Sequence, residues 1–375
     1  MTCAKTTGFT QESLAEHLGV ECSTVGLWES VDTEPQAYIR PKLACALKVS
    51  RDELQALLED VTVTDTSPSE RMTYALEHPG SADLMAVAYL HEHLRQLDES
   101  YDQQPSTRLL GRAGQLHGQV RFLRENAGNP RVRRALYEVE ADSATVMGQL
   151  VWDSSQRRDH VASLRFFEEA VTAARHARDP STESYATLRM SFVALYGEKN
   201  AAHGVTLAEQ AAEVAKLVSP SLTGLSLLHV AEGYAITGAL TECGDALKKA
   251  EAQFDRAHPD DVAAPYYTVN EFNRLAGSCY LSLGLPERAK PILRMTSRAL
   301  AAKKKSQAIA LGNLTLALIR QRKLDEAAAT MHRTIDAVEL TRGGGVLNLA
   351  FGAGRELRQG GPNRGRRRLT TVCSP

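Results

Sequence analysis

Three observations predict an all-α chain, with a small N-terminal helix-turn-helix bundle followed by an α-solenoid of tetratricopeptide-like helical hairpins. The stretch Thr10 to Glu29, TQESLAEHLGVECSTVGLWE, has the spacing of two short helices joined through a glycine. From about residue 71 to about residue 342 almost every segment is rich in Ala, Leu, Glu, Arg and Gln, broken by prolines and without strand-like alternation. Within that region a pattern of small and large residues recurs at constant offsets, which distinguishes a solenoid from a closed bundle.

In the first helix Leu14, Ala15 and Leu18 recur at helical spacing, and Gly19 supplies a turn where a side chain would be awkward. Val20 closes over the turn, Ser23 or Thr24 can cap the second helix, and Val25 and Trp28 point back at i and i+3. Trp28 is expected to be buried against Leu14, Leu18 and Leu43. Helices predicted at Ile39 to Leu47 and Ser50 to Leu58, the latter opened by a capping box of Ser50 and Glu53, complete a module over residues 1–60. Two short helices joined by a glycine also occur as ordinary packing corners. In the DNA-binding version the second helix enters the major groove by its N-terminal end, so Cys22, Ser23, Thr24, Gly26 and Leu27 form the candidate reading face. Ten acidic residues stand against five basic ones in this module. Any affinity for phosphate must therefore come from a few cations gathered on one side.

A length of 375 residues allows two or three domains, and a formal charge of −1 provides no global basic field. The six cysteines are scattered without a C-x-x-C pair, which fits a reducing cytosol; Cys45, Cys243 and Cys279 fall in helical patterns and are expected as small core residues. No apolar run nears the ~20 residues of a membrane span, and the N-terminus lacks the charged and apolar regions of a signal peptide. A cytoplasmic protein with no membrane partner is expected.

Residues 61–80, which include the β-branched stretch VTVTDTSPSE, read as a linker. Residues 81–342 read as the helical repeat region, with Asn129-Pro130 and Ser219-Pro220 as helix starts. The repeat is clearest in its second half. Ala231-x2-Tyr234 is followed nine residues later by Cys243-x3-Leu247, Gly277-x2-Tyr280 by Ala289-x3-Leu293, and Thr315-x2-Leu318 by Ala327-x3-Met331. A further small residue, Ala250, Thr296 or Thr334, comes three positions on. Ser163, Phe167 and Ala170 mark an earlier copy, and Gly204, Ala208 and Ala211 a degenerate one. The copies follow one another by 46 and 38 residues, longer than the ~34 of a regular tetratricopeptide repeat, so the connecting loops must be enlarged. Residues 343–375, with Arg364, Arg366, Arg367 and Arg368, read as a basic disordered tail.

No catalytic set assembles, and the chain is read as a non-enzyme without cofactor. His91-Glu92-His93 is the nearest approach to a metal cluster, but residues two apart on a helix point to different faces. The motifs of zinc proteases, phosphate loops and nucleophile elbows are missing. In tetratricopeptide hairpins the first helix lines the concave face, so residues beside the packing positions are the candidate groove: Glu232, Arg274, Ser278 and Leu316, with Gln149 and Trp152 from the first repeat. Such a mixture of charge, hydroxyl, amide and apolar surface suits an extended peptide.

The chain resembles actinobacterial transcriptional regulators with a phage-repressor (XRE) type helix-turn-helix and a long tetratricopeptide-like C-terminal region. The resemblance spans about residues 8 to 355. It rests on TQESLAEHLGV, STVGLWE and TEPQAYIRPKLACAL, and on longer stretches such as NPRVRRALYEVEADSATVMGQLVWDSSQRRDH, LRMSFVALYGEK, RLAGSCYLSLG and ALGNLTLALIRQRK. It implies a DNA-binding regulator whose repeat region senses or docks a ligand. By position, Gln11 matches the family's phosphate- or base-contacting glutamine. Cys22 and Leu27 depart from the family, which often places Arg or another polar reader there. The family's basic first helix has no counterpart in Met1 to Phe9. The expectation is a regulator that binds an operator, as a homodimer, and a peptide, small molecule or partner protein through its solenoid. The alternative is a protein-interaction scaffold whose DNA-binding module is degenerate or truncated.

Overall fold

The computed structural model describes residues 9–29, 35–36, 38–55, 67–341 and 344–360, and no strand occurs among them. The chain divides into two compact units, Met1–Tyr89 and Leu90–Pro375.

In the first unit, α1 (Gln11–Leu18) opens on a capping box in which Ser13 takes the place usually held by Glu. The Ser13 backbone N–H donates to the Thr10 hydroxyl, and the Thr10 N–H donates back to Ser13 Oγ at 2.8 Å. Gly19 stops the helix at φ 71°, left-handed backbone in which a side chain is strained, and its N–H returns to the carbonyls of Ala15 and Glu16. α2 (Cys22–Glu29) and α3 (Arg40–Ala46) follow. Helical residues 51–55 start at the predicted Ser50 and Glu53 box, with its two bonds at 2.9 and 3.1 Å. Leu14, Ala15, Leu18, Val25, Trp28, Leu43 and Leu54 form one apolar cluster. Trp28 is buried there beside Leu14, Leu18 and Leu43, as its spacing predicted.

The linker expectation needs correction over its second half. Residues 68–77 form α4 (Pro68–Glu77), which buries Met72 and Ala75; residues 61–66 lie outside the described residues. The physical reason is local. Ser67 and Glu70 make another capping box, with bonds of 2.9 and 3.3 Å, and Pro68 occupies the first helical position, where a missing N–H has no consequence. That proline begins a helix rather than breaking one. α5 (Leu84–Tyr101) follows, and the boundary between the units falls within it.

The second unit continues through α6 (Ser106–Asn126), α7 (Pro130–Ser154), α8 (His160–Ala177) and α9 (Pro180–Phe192), the last prolonged by a π-helical turn, Val193–Gly197. Next come α10 (Ala201–Ala215), α11 (Pro220–Ile236), α12 (Leu240–Glu251), α13 (Val269–Ser282), α14 (Pro286–Ala299), α15 (Lys304–Arg320), α16 (Leu324–Thr341) and α17 (Gly344–Gly360). From α6 to α16 helices adjacent in sequence pack on one another, except that α13 docks more on α11 than on α12. Asn129, Asp179 and Ser219 cap helices whose first residue is proline.

The repeat positions do what their spacing required. Ala231, Thr315, Cys243, Ala289, Ala327, Leu293, Met331, Ala250, Thr296 and Thr334 are buried, as are Ser163, Phe167, Ala208 and Ala211. Where α13 crosses α14 the approach is so close that a Cβ on Gly277 would lie 2.7 Å from Leu293 Cδ2 and Cγ. The core expectation is borne out for Cys243 and Cys279 but is corrected for Cys45, whose side chain is exposed.

The tail expectation is also corrected in part. Residues 344–360 form a helix, while 361–375, including the four tail arginines, lie outside the described residues. Leu349, Ala350 and fully buried Ala353 of α17 pack into the cluster that holds Leu314, Leu316 and Leu318 of α15. Arg320 of α15 donates to both carboxylate oxygens of Glu356, at 3.2 and 2.7 Å. A glycine run reads locally as a stop, but apolar docking overrides it.

The ends of this solenoid approach each other. α17 touches α7, Asn348 Nδ2 donates to the Gln156 carbonyl at 3.4 Å, and Lys305 at the start of α15 reaches Asp153 near the end of α7 at 3.8 Å. Polar side chains of α7, α9, α11, α13 and α15, among them Asp153, Arg189, Glu232, Arg274 and Lys305, interact with one another.

Candidate functional site

Two surfaces carry the functional reading. The first is the start of α2. Cys22 and Ser23 are exposed, Thr24 and Gly26 are half-buried, and Val25 and Trp28 pin the opposite face to α1. Ser23 Oγ donates to Glu21 Oε2 at 3.3 Å. Gln11 is exposed at the first position of α1, and the Leu27 side chain lies outside what is described. A left-handed turn at Gly19 followed by a short helix with a polar, accessible first turn is the arrangement that a major groove can accept.

The second surface is the inner face of the solenoid. Arg274 of α13 is 17% exposed, and its Nε–H donates to Glu271 Oε2 at 2.6 Å. Glu232 of α11 is bonded to His229 Nδ1 at 3.0 Å and accepts from the Tyr196 hydroxyl. Burial alone would raise the Glu232 carboxyl, but the bonds from His229 and Tyr196 and the Arg274 charge hold it below the usual carboxylate range. Burial pushes His229 down. On the other side Lys305, with 8% of its side chain exposed, lies 3.8 Å from Asp153, donates to Ser106 Oγ at 3.2 Å and sits 3.2 Å from the centre of the Tyr101 ring. Burial draws its ammonium down to about 8, against the attraction of Asp153. Tyr101 in turn donates its hydroxyl to Asp153. Between these clusters stand Arg189 and Arg157, each against two aromatic rings.

The predicted groove residues divide in three ways. Gln149 and Ser278 are half-buried. Glu232 and Arg274 belong to the inner polar cluster, although both are already engaged with neighbours. Trp152 and Leu316 do not line the groove and are corrected here. Trp152 is 6% exposed and packs with Phe167 and Val193, while Leu316 is 8% exposed and lies in the α15, α16 and α17 cluster. Offset from a packing position indicates a helix face, but a neighbouring helix can cover that face. Arg157, Arg189, Lys305, Asp153 and Tyr196 were missed. One signal was available: Tyr185, Arg189, Phe192 and Tyr196 stand at i, i+4, i+7 and i+11, a single helical stripe.

His91 and Glu92 have separate partners, His91 with Asp142 at 3.9 Å and Glu92 with Arg95 at 2.7 Å. Among the described residues no group of three His, Cys, Asp or Glu could hold a metal, and no helix is long and apolar enough to cross a membrane.

No protein-family model and no curated protein matches the chain. Among solved structures it is similar to PlcR of Bacillus thuringiensis, determined in complex with the peptide PapR7 and DNA. The two share 13% identity over 80% of this chain and 92% of that one, with a TM-score of 0.36. So distant a likeness fixes neither the ligand nor the family of this chain.

Proposed function

We propose that the chain is a DNA-binding transcriptional regulator whose solenoid binds a short peptide, or another small ligand or partner, along its inner face. The observation that carries this reading is the accessible first turn of α2, with Cys22 and Ser23 exposed on a helix held by Val25 and Trp28. The recognition helix is eight residues long and poor in bidentate readers such as Arg, Asn and Gln. A monomer would read few bases, so binding is expected from a homodimer on half-sites separated by about one helical turn, ~10 bp.

The test is selection of bound sequences from random duplex DNA by the full chain, with and without Ser23→Glu. The added anion on an exposed position should repel phosphate and abolish enrichment while leaving the helix content intact. An enriched motif that survives Ser23→Glu would remove α2 from the interface. A footprint of a single half-site with one chain bound would remove the dimer. The excess of acidic residues in 1–60 favours a second reading, a protein-docking scaffold; no enriched sequence at all would leave that reading standing.

A further inference from the structure

Among the described residues, two guanidinium groups on the inner face stand against rings with no carboxylate ion pair, and that of Arg157 also packs against Gly345 at the start of α17. The Arg189 guanidinium carbon lies 5.3 Å from the centre of the Tyr185 ring and 5.1 Å from that of Phe192. Arg157, three residues past α7, lies 6.0 Å from Trp152 and 5.8 Å from Tyr196. Phe192 and Tyr196 meet edge to face at 6.1 Å, so one aromatic pair stands between the two arginines. Their Nε atoms are buried with no hydrogen-bond partner among the described residues. Both side chains are half-buried. Tyr196 is delivered by the π-helical turn Val193–Gly197, a distortion frequent at functional sites, and Arg157 holds a left-handed φ of 62°.

Three carboxylates of this interior are already committed, and Asp102 stands near Lys305 and Glu271 as a further one. Glu271 holds Arg274, Glu232 holds His229 and Tyr196, and Asp153 holds Tyr101 and Lys305. A guanidinium is a planar fork of five donors, and leaving a buried N–H unpaired is unfavourable. The complement to such a fork is a planar pair of oxygens with one negative charge. A phosphate dianion would meet the carboxylates of the same interior with twice the charge, whereas a carboxylate meets them with one.

We propose that Arg157 and Arg189 are the carboxylate readers of the inner groove, for a short linear peptide whose apolar side chains lie against Phe192 and Tyr196. This rests on the peptide-binding reading above. The carboxylate can come from the peptide C-terminus or from an Asp or Glu side chain.

The experiment uses individual synthetic heptapeptides attached by their N-termini, each with a free C-terminal carboxylate or an amide, and each acidic sequence repeated with Asn or Gln. They are probed with the full chain and with Arg189→Gln, Arg157→Gln and the charge-retaining Arg189→Lys, each checked for unchanged helix content by circular dichroism. Bound sequences should weaken at least tenfold when their carboxylate is removed, and at least tenfold with either Gln variant; Arg189→Lys should recover only part of the loss. Dependence on the amide or on the Asn and Gln replacement identifies the source of the carboxylate. Sequences that bind equally with no carboxylate, or bind both Gln variants as tightly as the parent, overturn the arginine pair and leave peptide binding intact. If no heptapeptide in any form binds the folded chain, the peptide reading falls and the pair falls with it. Should either Gln variant unfold, Arg189→Lys and the carboxylate-free peptides decide alone.

Discussion

Substituting alanine for Gly277 should reverse the sign of its effect on stability according to what stands at position 293. A Cβ on Gly277 would lie 2.7 Å from Leu293 Cδ2 and Cγ, about 1 Å inside ordinary carbon contact. Leu293 is fully buried, so its isobutyl group has no free space to enter and α13 must move from α14. Overpacking of this kind costs ~1–3 kcal/mol, offset by the ~1 kcal/mol by which alanine exceeds glycine within a helix. A net loss of up to about 2 kcal/mol is expected. Leu293→Ala by itself should cost ~2–5 kcal/mol through its cavity. Once the leucine is shortened, Gly277→Ala retains only its helix term and should stabilise by up to ~1 kcal/mol. The double-mutant cycle should therefore show a coupling of ~1–3 kcal/mol. Urea unfolding of the four chains, followed by circular dichroism, gives each value. If Gly277→Ala stabilises the parent, or if the coupling is near zero, the small residue is not there to admit Leu293, and the account of the repeat fails.

Trp28→Ala should leave a large cavity among Leu14, Leu18 and Leu43 and cost ~3–5 kcal/mol, enough to melt the N-terminal module while the solenoid keeps its helices; a uniform loss of ellipticity on heating, or no loss, would contradict this. Lys305 gives a pH dependence. Its folded value of about 8 lies below the ~10.4 of an unfolded lysine, so between these the unfolded chain holds more protons and stability rises with pH, by at most ~1.4 kcal/mol per unit. Lys305→Met should lack that rise. The difference between the two chains from pH 7.5 to 9.5 isolates it, since the thiols and tyrosines that also titrate are common to both; parallel profiles would refute the burial of a charged Lys305.

Short-range pattern was sufficient for much of the architecture. Gly19, Leu14 and Trp28 announced the helix-turn-helix, because turn conformation and a two-helix crossing involve residues within twenty of one another. Ala231 with Cys243, Gly277 with Leu293, and Thr315 with Ala327 announced the hairpins for the same reason. Ser67-Pro68-x-Glu70 carried its helix start openly as well, and only the habit of reading proline as a breaker hid it.

What tertiary structure alone decided is which helix faces are covered and which charges meet. α17 is a helix because Leu349, Ala350 and Ala353 dock on α15; its glycine-rich start has little helical preference of its own. Trp152 is core because α8 and the π turn close over it, and Lys305 meets Asp153 because the solenoid brings α15 back to α7, across 152 residues of chain. Periodicity shows that a helix has an inner face, but the curvature that brings distant inner faces together accumulates from loop lengths and crossing angles and leaves no local pattern. For that reason Arg189 on α9 and Arg157 in the turn after α7, each unremarkable in its own segment, become one site only in the folded chain.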